Sequence, residues 1–203
     1  MKKKIQILLL LLLIACTNSD FKNKKLITKE LNSAVKQLIN IEFKNIAFVQ
    51  SETLPIFRKN KYSSKSFLPP PTKGGISKHF IYSLTAKNLI DSSDAHFMYS
   101  RIDSTETYNL DSSILLKTVI SKKELNKIFE EKGTEKSYEY LKKTYGTSCF
   151  IIVRTPLFNK DITTIILIAE YYCGPLFGES YIFILQKNNN QWILTDKRGI
   201  WVS

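Results

Sequence analysis

Between Leu26 and Ile39 the apolar positions are Leu26, Ile27, Leu31, Ala34, Val35, Leu38 and Ile39, three and four residues apart. This spacing puts one apolar stripe on a helix and predicts an amphipathic helix over 20–44 that packs against something. The pattern then breaks. Residues 51–75 hold Pro55, Pro69-Pro70-Pro71 and Gly74-Gly75 among serines and lysines, a run that forbids helix and reads as a linker or long surface loop. Helical spacing resumes afterwards. Asp91, with Asp94 three residues on, resembles a capping box opening a helix over 92–102, lined by Ala95, Met98, Tyr99 and Ile102. Ser121 and Glu124 form another ahead of Leu125, Ile128 and Phe129, and that helix stops at Gly133. Tyr138, Leu141 and Tyr145 continue the helical spacing to Gly146. From Ser148 the pattern becomes that of strands: 148–157, a turn at Asn159-Lys160-Asp161, 162–173, a loop at 174–178, then 181–187 and 191–195 around Asn188-Asn189-Asn190. Asp196 to Gly199 reads as a further turn and Ile200 to Val202 as a short last strand. Helices first and strands afterwards predict an α+β fold, with N-terminal helices followed by a C-terminal antiparallel β-meander.

The first fifteen residues follow a different logic. Lys2, Lys3 and Lys4 precede a run from Ile5 to Ala15 that is apolar except for Gln6, about half of what crosses a bilayer. Such a segment is expected to be a signal peptide. It ends Leu13-Ile14-Ala15-Cys16, which resembles the lipobox of bacterial lipoproteins. The resemblance implies that Cys16 is diacylglycerated and becomes the acylated N-terminus of a mature chain 16–203. Ile14 is bulkier than that family prefers. Thr17 in place of Asp implies outer-membrane anchoring, on the periplasmic or the surface face. The order Pro156-Leu157-Phe158, Tyr172-Cys173-Gly174-Pro175-Leu176-Phe177-Gly178, Trp192 and Trp201-Val202-Ser203, within 91–203, is similar to a group of uncharacterised lipoproteins of the Bacteroidetes type. That likeness implies an extracytoplasmic home and no particular activity. The expected organisation is a signal peptide (1–15), a lipid-anchored basic arm and helix (16–50), a Pro/Gly-rich linker or loop (51–75), and a compact α+β domain (76–203).

Charge changes this picture little. The chain of 203 residues carries a formal +12, which invites a nucleic-acid ligand. Three of those charges lie in the leader, and six more in residues 20–65, where ten basic residues face four acids. Only four of the 30 basic residues are arginines, the side chain favoured for bidentate contacts to phosphates and bases. Nucleic acid is therefore not expected as a partner. Solvated lysines fit the basic segment better than a membrane-hugging role, although anionic headgroups attract lysines beside an anchor.

Candidate chemistry is sparse. Cys149 and Cys173 face each other if their strands fold back over the 159–163 turn; they are candidates for a disulfide in an oxidising compartment, against two buried thiols. His79 and His96 are the only histidines, too few and too far apart for a metal cluster, and neither sits in a nucleophile motif. Asp91, Asp94 and Asp103 read better as helix-start residues than as a carboxylate site. Glu170 and Glu179 bracket the 174–178 loop, as an acid/base pair or, better, as exposed strand-end carboxylates. The loop Gly174, Pro175, Leu176, Phe177, Gly178 is a candidate contact loop if it projects; a turn with Leu176 and Phe177 folded onto the core is preferred. Tyr171, Tyr172, Tyr181, Phe183, Trp192 and Trp201 are expected in the core, or on a glycan-binding platform if they share an exposed face. No catalytic residue, metal site or cofactor is expected. The resulting expectation is a membrane-anchored, non-enzymatic binding module whose partner is an envelope protein or glycan. A cell-envelope enzyme and a lipid-anchored immunity protein are the alternatives.

Overall fold

The computed structural model describes residues 24–56 and 76–203, in which the longest apolar runs become neighbouring strands of one sheet. Strand β5 (Thr164–Gly174) lies between β3 (Phe150–Val153) and β6 (Phe177–Asn188), and β6 pairs with β7 (Gln191–Val202), all antiparallel. Strand β4 (Leu157–Phe158) also pairs with β5, so β3 and β4 are two pieces of one neighbour interrupted at Arg154–Pro156. Two strands of three residues, β1 (Phe48–Gln50) and β2 (Thr118–Ile120), extend the sheet past β3. The order is β2-β1-β3-β5-β6-β7, and β1 runs parallel to both its neighbours. The fold is α+β with a mixed, mostly antiparallel sheet.

Both faces of the sheet are covered. Successive residues of a strand point to opposite sides, so a continuous apolar run needs a layer above and below. On one side lies α1, the helix of residues 24–42, whose Leu31, Ala34, Val35, Leu38 and Ile39 are wholly buried against Ile151, Ile165, Leu167, Phe183 and Leu185. Ion pairs fasten both ends of α1 to the sheet: Glu30 to Lys187 at 2.7 Å, and Glu42 to Lys197 at 2.6 Å. The indole Nε1 of Trp192 also donates to Glu30. On the other side two helix pairs sit side by side. Helices α2 (Lys78–Ala86) and α3 (Ser92–Ser100) cover Ile166, Ile168, Ile182 and Ile184. Helices α5 (Lys122–Lys132) and α6 (Thr134–Tyr145) cover Phe48, Phe150, Ile152 and Tyr172. A single turn, α4 (Ser112–Leu115), precedes β2.

The helix ends follow their sequence signals. Ser121 Oγ accepts from the Glu124 amide, and Gly146 ends α6 in the left-handed region at φ 82°. Asp91 caps α3 by accepting from the Asp94 amide. Asp94 does not complete a capping box. Its carboxylate accepts instead from Asn159 Nδ2 and the Lys160 amide, joining α3 to the turn before β5.

Several boundaries differ from those expected. Residues 24–50 are not a separate arm: α1 and Val49 share one core with β3, β5 and β6. Residues 51–56 are not a linker, since Thr53 donates to Tyr108, Leu54 to Val153 and Ser51 to Ile120 through their backbone amides. The rest of the Pro/Gly-rich stretch, 57–75, and the leader with Cys16 lie outside the described residues. Strands are not confined to the part after Gly146, because β1 and β2 precede it. Asp196–Gly199 is not a turn but the middle of β7. The sequence interruption there has a physical source: Thr195 and Ile200 are extra residues relative to β6, two bulges that break the period of two.

Leu38 on α1 tests whether this helix belongs to the domain. Leu38→Ala is predicted to cost about 2–5 kcal/mol in urea unfolding, within a single cooperative transition of the whole chain. An unchanged midpoint would sink the three-layer core.

Candidate functional site

Two places carry chemistry worth building up: the polar group inside the sheet layer, and the β5–β6 hairpin tip. The polar group begins at the interruption between β3 and β4. Arg154 stands there with its amide still donating to the Ile168 carbonyl of β5, and its side chain meets Glu170 on the side covered by the helix pairs, where the other even-numbered β5 residues also pack. Its Nη2 lies 2.6 Å from Glu170 Oε1, its Nε donates to the same oxygen at 2.8 Å, and Nη1 donates to the Pro55 carbonyl. The Tyr172 hydroxyl donates to the other carboxylate oxygen at 3.0 Å. Only 4% of the Glu170 side chain is exposed, so both its oxygens are satisfied inside the protein. Burial, and then the neighbouring carboxylate, hold the Tyr172 phenol protonated far above its usual range. Ser180 lies directly across the ladder from Glu170, and its buried hydroxyl has no hydrogen-bond partner among the described residues.

The group is closed within the protein: Arg154 engages one carboxylate oxygen of Glu170 and Tyr172 the other. Glu179 does not join it. Register places Glu170 opposite Ser180 and Glu179 opposite Tyr171, so the two glutamates project from opposite faces, and Glu179 accepts from the Tyr181 hydroxyl. The proposed acid/base pairing across the loop therefore does not form. Glu170 is also not an exposed strand-end carboxylate.

The hairpin tip is built differently. Strand β5 ends at Gly174 and β6 starts at Phe177, leaving only Pro175 and Leu176 as the turn. A two-residue turn has no length with which to fold back. Leu176 is 88% exposed and Phe177 48% exposed, so neither lies on the core as expected. Phe177 meets the edge of Tyr171 at 6.0 Å between centroids, and Val202, 71% exposed, stands opposite Glu179 beside them. Gly178 has a specific steric role: a Cβ there would fall 3.0 Å from the Trp201 ring. Just below the tip Cys149 and Cys173 are joined by a disulfide, which ties the start of β3 to the end of β5. The Tyr171 hydroxyl lies 2.9 Å from Cys173 Sγ.

The remaining candidates scatter. His79 and His96 are exposed on separate helices, and the Asp94 carboxylate is engaged by Asn159 and Lys160 rather than by His96. Asp103 is exposed in the turn after α3. Among the described residues no group of His, Cys, Asp and Glu is placed to hold a metal ion. The six aromatics share no exposed face: Tyr171, Tyr181, Phe183 and Trp192 pack on the α1 side, Tyr172 and Trp201 on the other. Sequence reasoning missed Arg154 altogether. The available signal was a charged residue inside an otherwise apolar run, Ile151-Ile152-Val153-Arg154, which asks for a buried partner.

No family model, no curated protein and no solved structure matches this chain.

Removing one partner of the buried pair should be worse than removing both. Arg154→Met is predicted to cost about 3–5 kcal/mol by stranding Glu170, and Arg154→Met with Glu170→Met to recover most of it in the same denaturant titration. Equal losses in the single and double variants would deny the coupling. Separately, peptide mapping without reductant should give Cys149 linked to Cys173, and replacing both by Ser should lower stability by about 3 kcal/mol. Two free thiols in the exported protein would remove the staple from the account of the tip.

Proposed function

We propose that this chain is a lipid-anchored protein of the bacterial cell envelope, most simply of the outer membrane, and that it acts as a non-enzymatic interaction module whose contact element is the Gly174–Gly178 tip. The observation that carries the contact role is the exposure of Leu176 and Phe177 on a short, stapled hairpin. Placing large apolar side chains in water costs about 25 cal/mol per Å², an unfavourable use of a turn unless something covers them. The disulfide and the two-residue turn fix their position in advance, which lowers the ordering cost of binding. The closed state of the Arg154–Glu170 pair supports a binding role over catalysis. The anchor rests on Lys2–Lys4, the apolar run and Cys16. No helix of the described residues is long and apolar enough to cross a membrane.

Two variants separate the parts of this proposal. Cys16→Ala should release the protein from the membrane fraction of its native cells; retention after full leader processing would refute the lipid anchor. Leu176→Asp with Phe177→Ser should cut crosslinked partner capture on intact cells at least about tenfold, the scale of losing an interface hot spot. Unfolding should shift by no more than about 0.5 kcal/mol, because neither side chain is in the core. Undiminished capture would place the contact elsewhere.

A further inference from the structure

The tip lies at one end of the sheet, and α1 shows what lies at the other. Near its start α1 contacts Lys187 through Glu30; at its end Phe43 stacks on Tyr171 at 5.7 Å. Lys187 and Gly178 are nine residues apart along β6, about 30 Å at a strand's rise. The first turns of α1 therefore lie at the end of the molecule remote from Leu176 and Phe177.

That remote end holds a cleft of about 380 Å³ between α1 and α4. Lys24, Lys25 and Lys29 line it from α1, and Asp111 and Ile114 from the α4 side. Its floor is rigid. Asn32, 1% exposed, donates to the Asn109 carbonyl and accepts from the Asp111 amide, so helix and loop are locked together beneath the lysines. The one carboxylate in the cleft, Asp111, accepts from the amide and hydroxyl of Ser113 through Oδ1. Lys24 rests over the Tyr108 ring. None of the three lysines forms an ion pair among the described residues, whereas Lys187 and Lys197 further along are paired. Leu26, on the same turn, is 46% exposed.

Resting on the tether reading above, we infer that this cleft seats the anionic headgroups of the bilayer that holds Cys16, so that the molecule stands with its lysine end on the membrane and its apolar tip away from it. Two facts select the bilayer as occupant. Lys24 is eight residues from Cys16, so the cleft lies within about 29 Å of the acylated position even along a fully extended chain. The cleft also presents three cations against one carboxylate, a net positive lining that complements a phosphodiester surface. Part of the lysine excess in the sequence thus gains a location: Lys24, Lys25 and Lys29 line one recess.

Lysine footprinting on the full-length acylated protein tests this. The protein is placed in vesicles of phosphatidylcholine alone and in vesicles with about a third phosphatidylglycerol, and amine acylation is followed by peptide mass. Lys24, Lys25 and Lys29 should react about fivefold more slowly in the anionic vesicles, while Lys122, Lys123 and Lys143 hold within twofold. The protection should vanish in about 0.5 M salt, where the Debye length shrinks to roughly 4 Å. Equal rates in the two vesicle types, or slowing of all six lysines alike, would overturn the inference. So would the same protection from millimolar inorganic phosphate without vesicles, which would make the cleft a small-anion site. Failure of the tether is read separately: without acylation the protein does not float with the neutral vesicles, whatever the lysines do in the anionic ones.

Discussion

Burying β5 on both faces sets the requirements for the rest of the molecule. Its eleven residues run Thr-Ile-Ile-Leu-Ile-Ala-Glu-Tyr-Tyr-Cys-Gly, and a strand of that kind cannot turn either side to water. One layer must come from α1 and another from the helix pairs α2–α3 and α5–α6. The chain meets this demand from both ends of its length, since α1 and β5 are separated by more than a hundred residues yet share one core. Just before the interruption of the opposing ladder, Arg154 enters the apolar layer where Glu170 on β5, the register partner of Ile152, meets it diagonally.

That pair illustrates how polarity is admitted to the interior. Desolvating two charges costs several kcal/mol per ion, and their attraction offsets this only when the remaining lone pairs and protons are also satisfied. Tyr172 and the Pro55 carbonyl supply those last bonds. The pair thus contributes less to net stability than to specificity of register, because sliding the Arg154 segment past β5 by one residue would put the two charges on opposite faces of the sheet, each unpaired.

Much of the frame could be read from the sequence, and for identifiable reasons. Ser121 and Glu124, Gly133 and Gly146 act locally, through caps and left-handed backbone, so their effect is visible in a few residues. The three-and-four spacing of α1 and the β-branched runs of β5 and β6 are long enough to show a period. Strands β1 and β2 are not: three residues carry no period, and their pairing depends on partners as much as a hundred residues away. The same limit applies to the site. Asp94 reads as a helix-start residue, but its carboxylate is claimed by Asn159 in the turn before β5. The exposure of Leu176 depends on whether the turn has two residues or five, which Gly174 and Gly178 alone do not fix.

Strand β7 closes the sheet, and its two bulges at Thr195 and Ile200 do more than disturb a periodicity. A twelve-residue outer strand with straight, unpaired amides is a template on which another copy of the chain can add itself. Each bulge bends the strand and breaks the even row of donors and acceptors that such addition needs, and Lys197 and Arg198 place charge between them. Among the described residues β7 is the longest edge strand of the sheet, and its bulges and charges make it a poor template for the addition of a further strand.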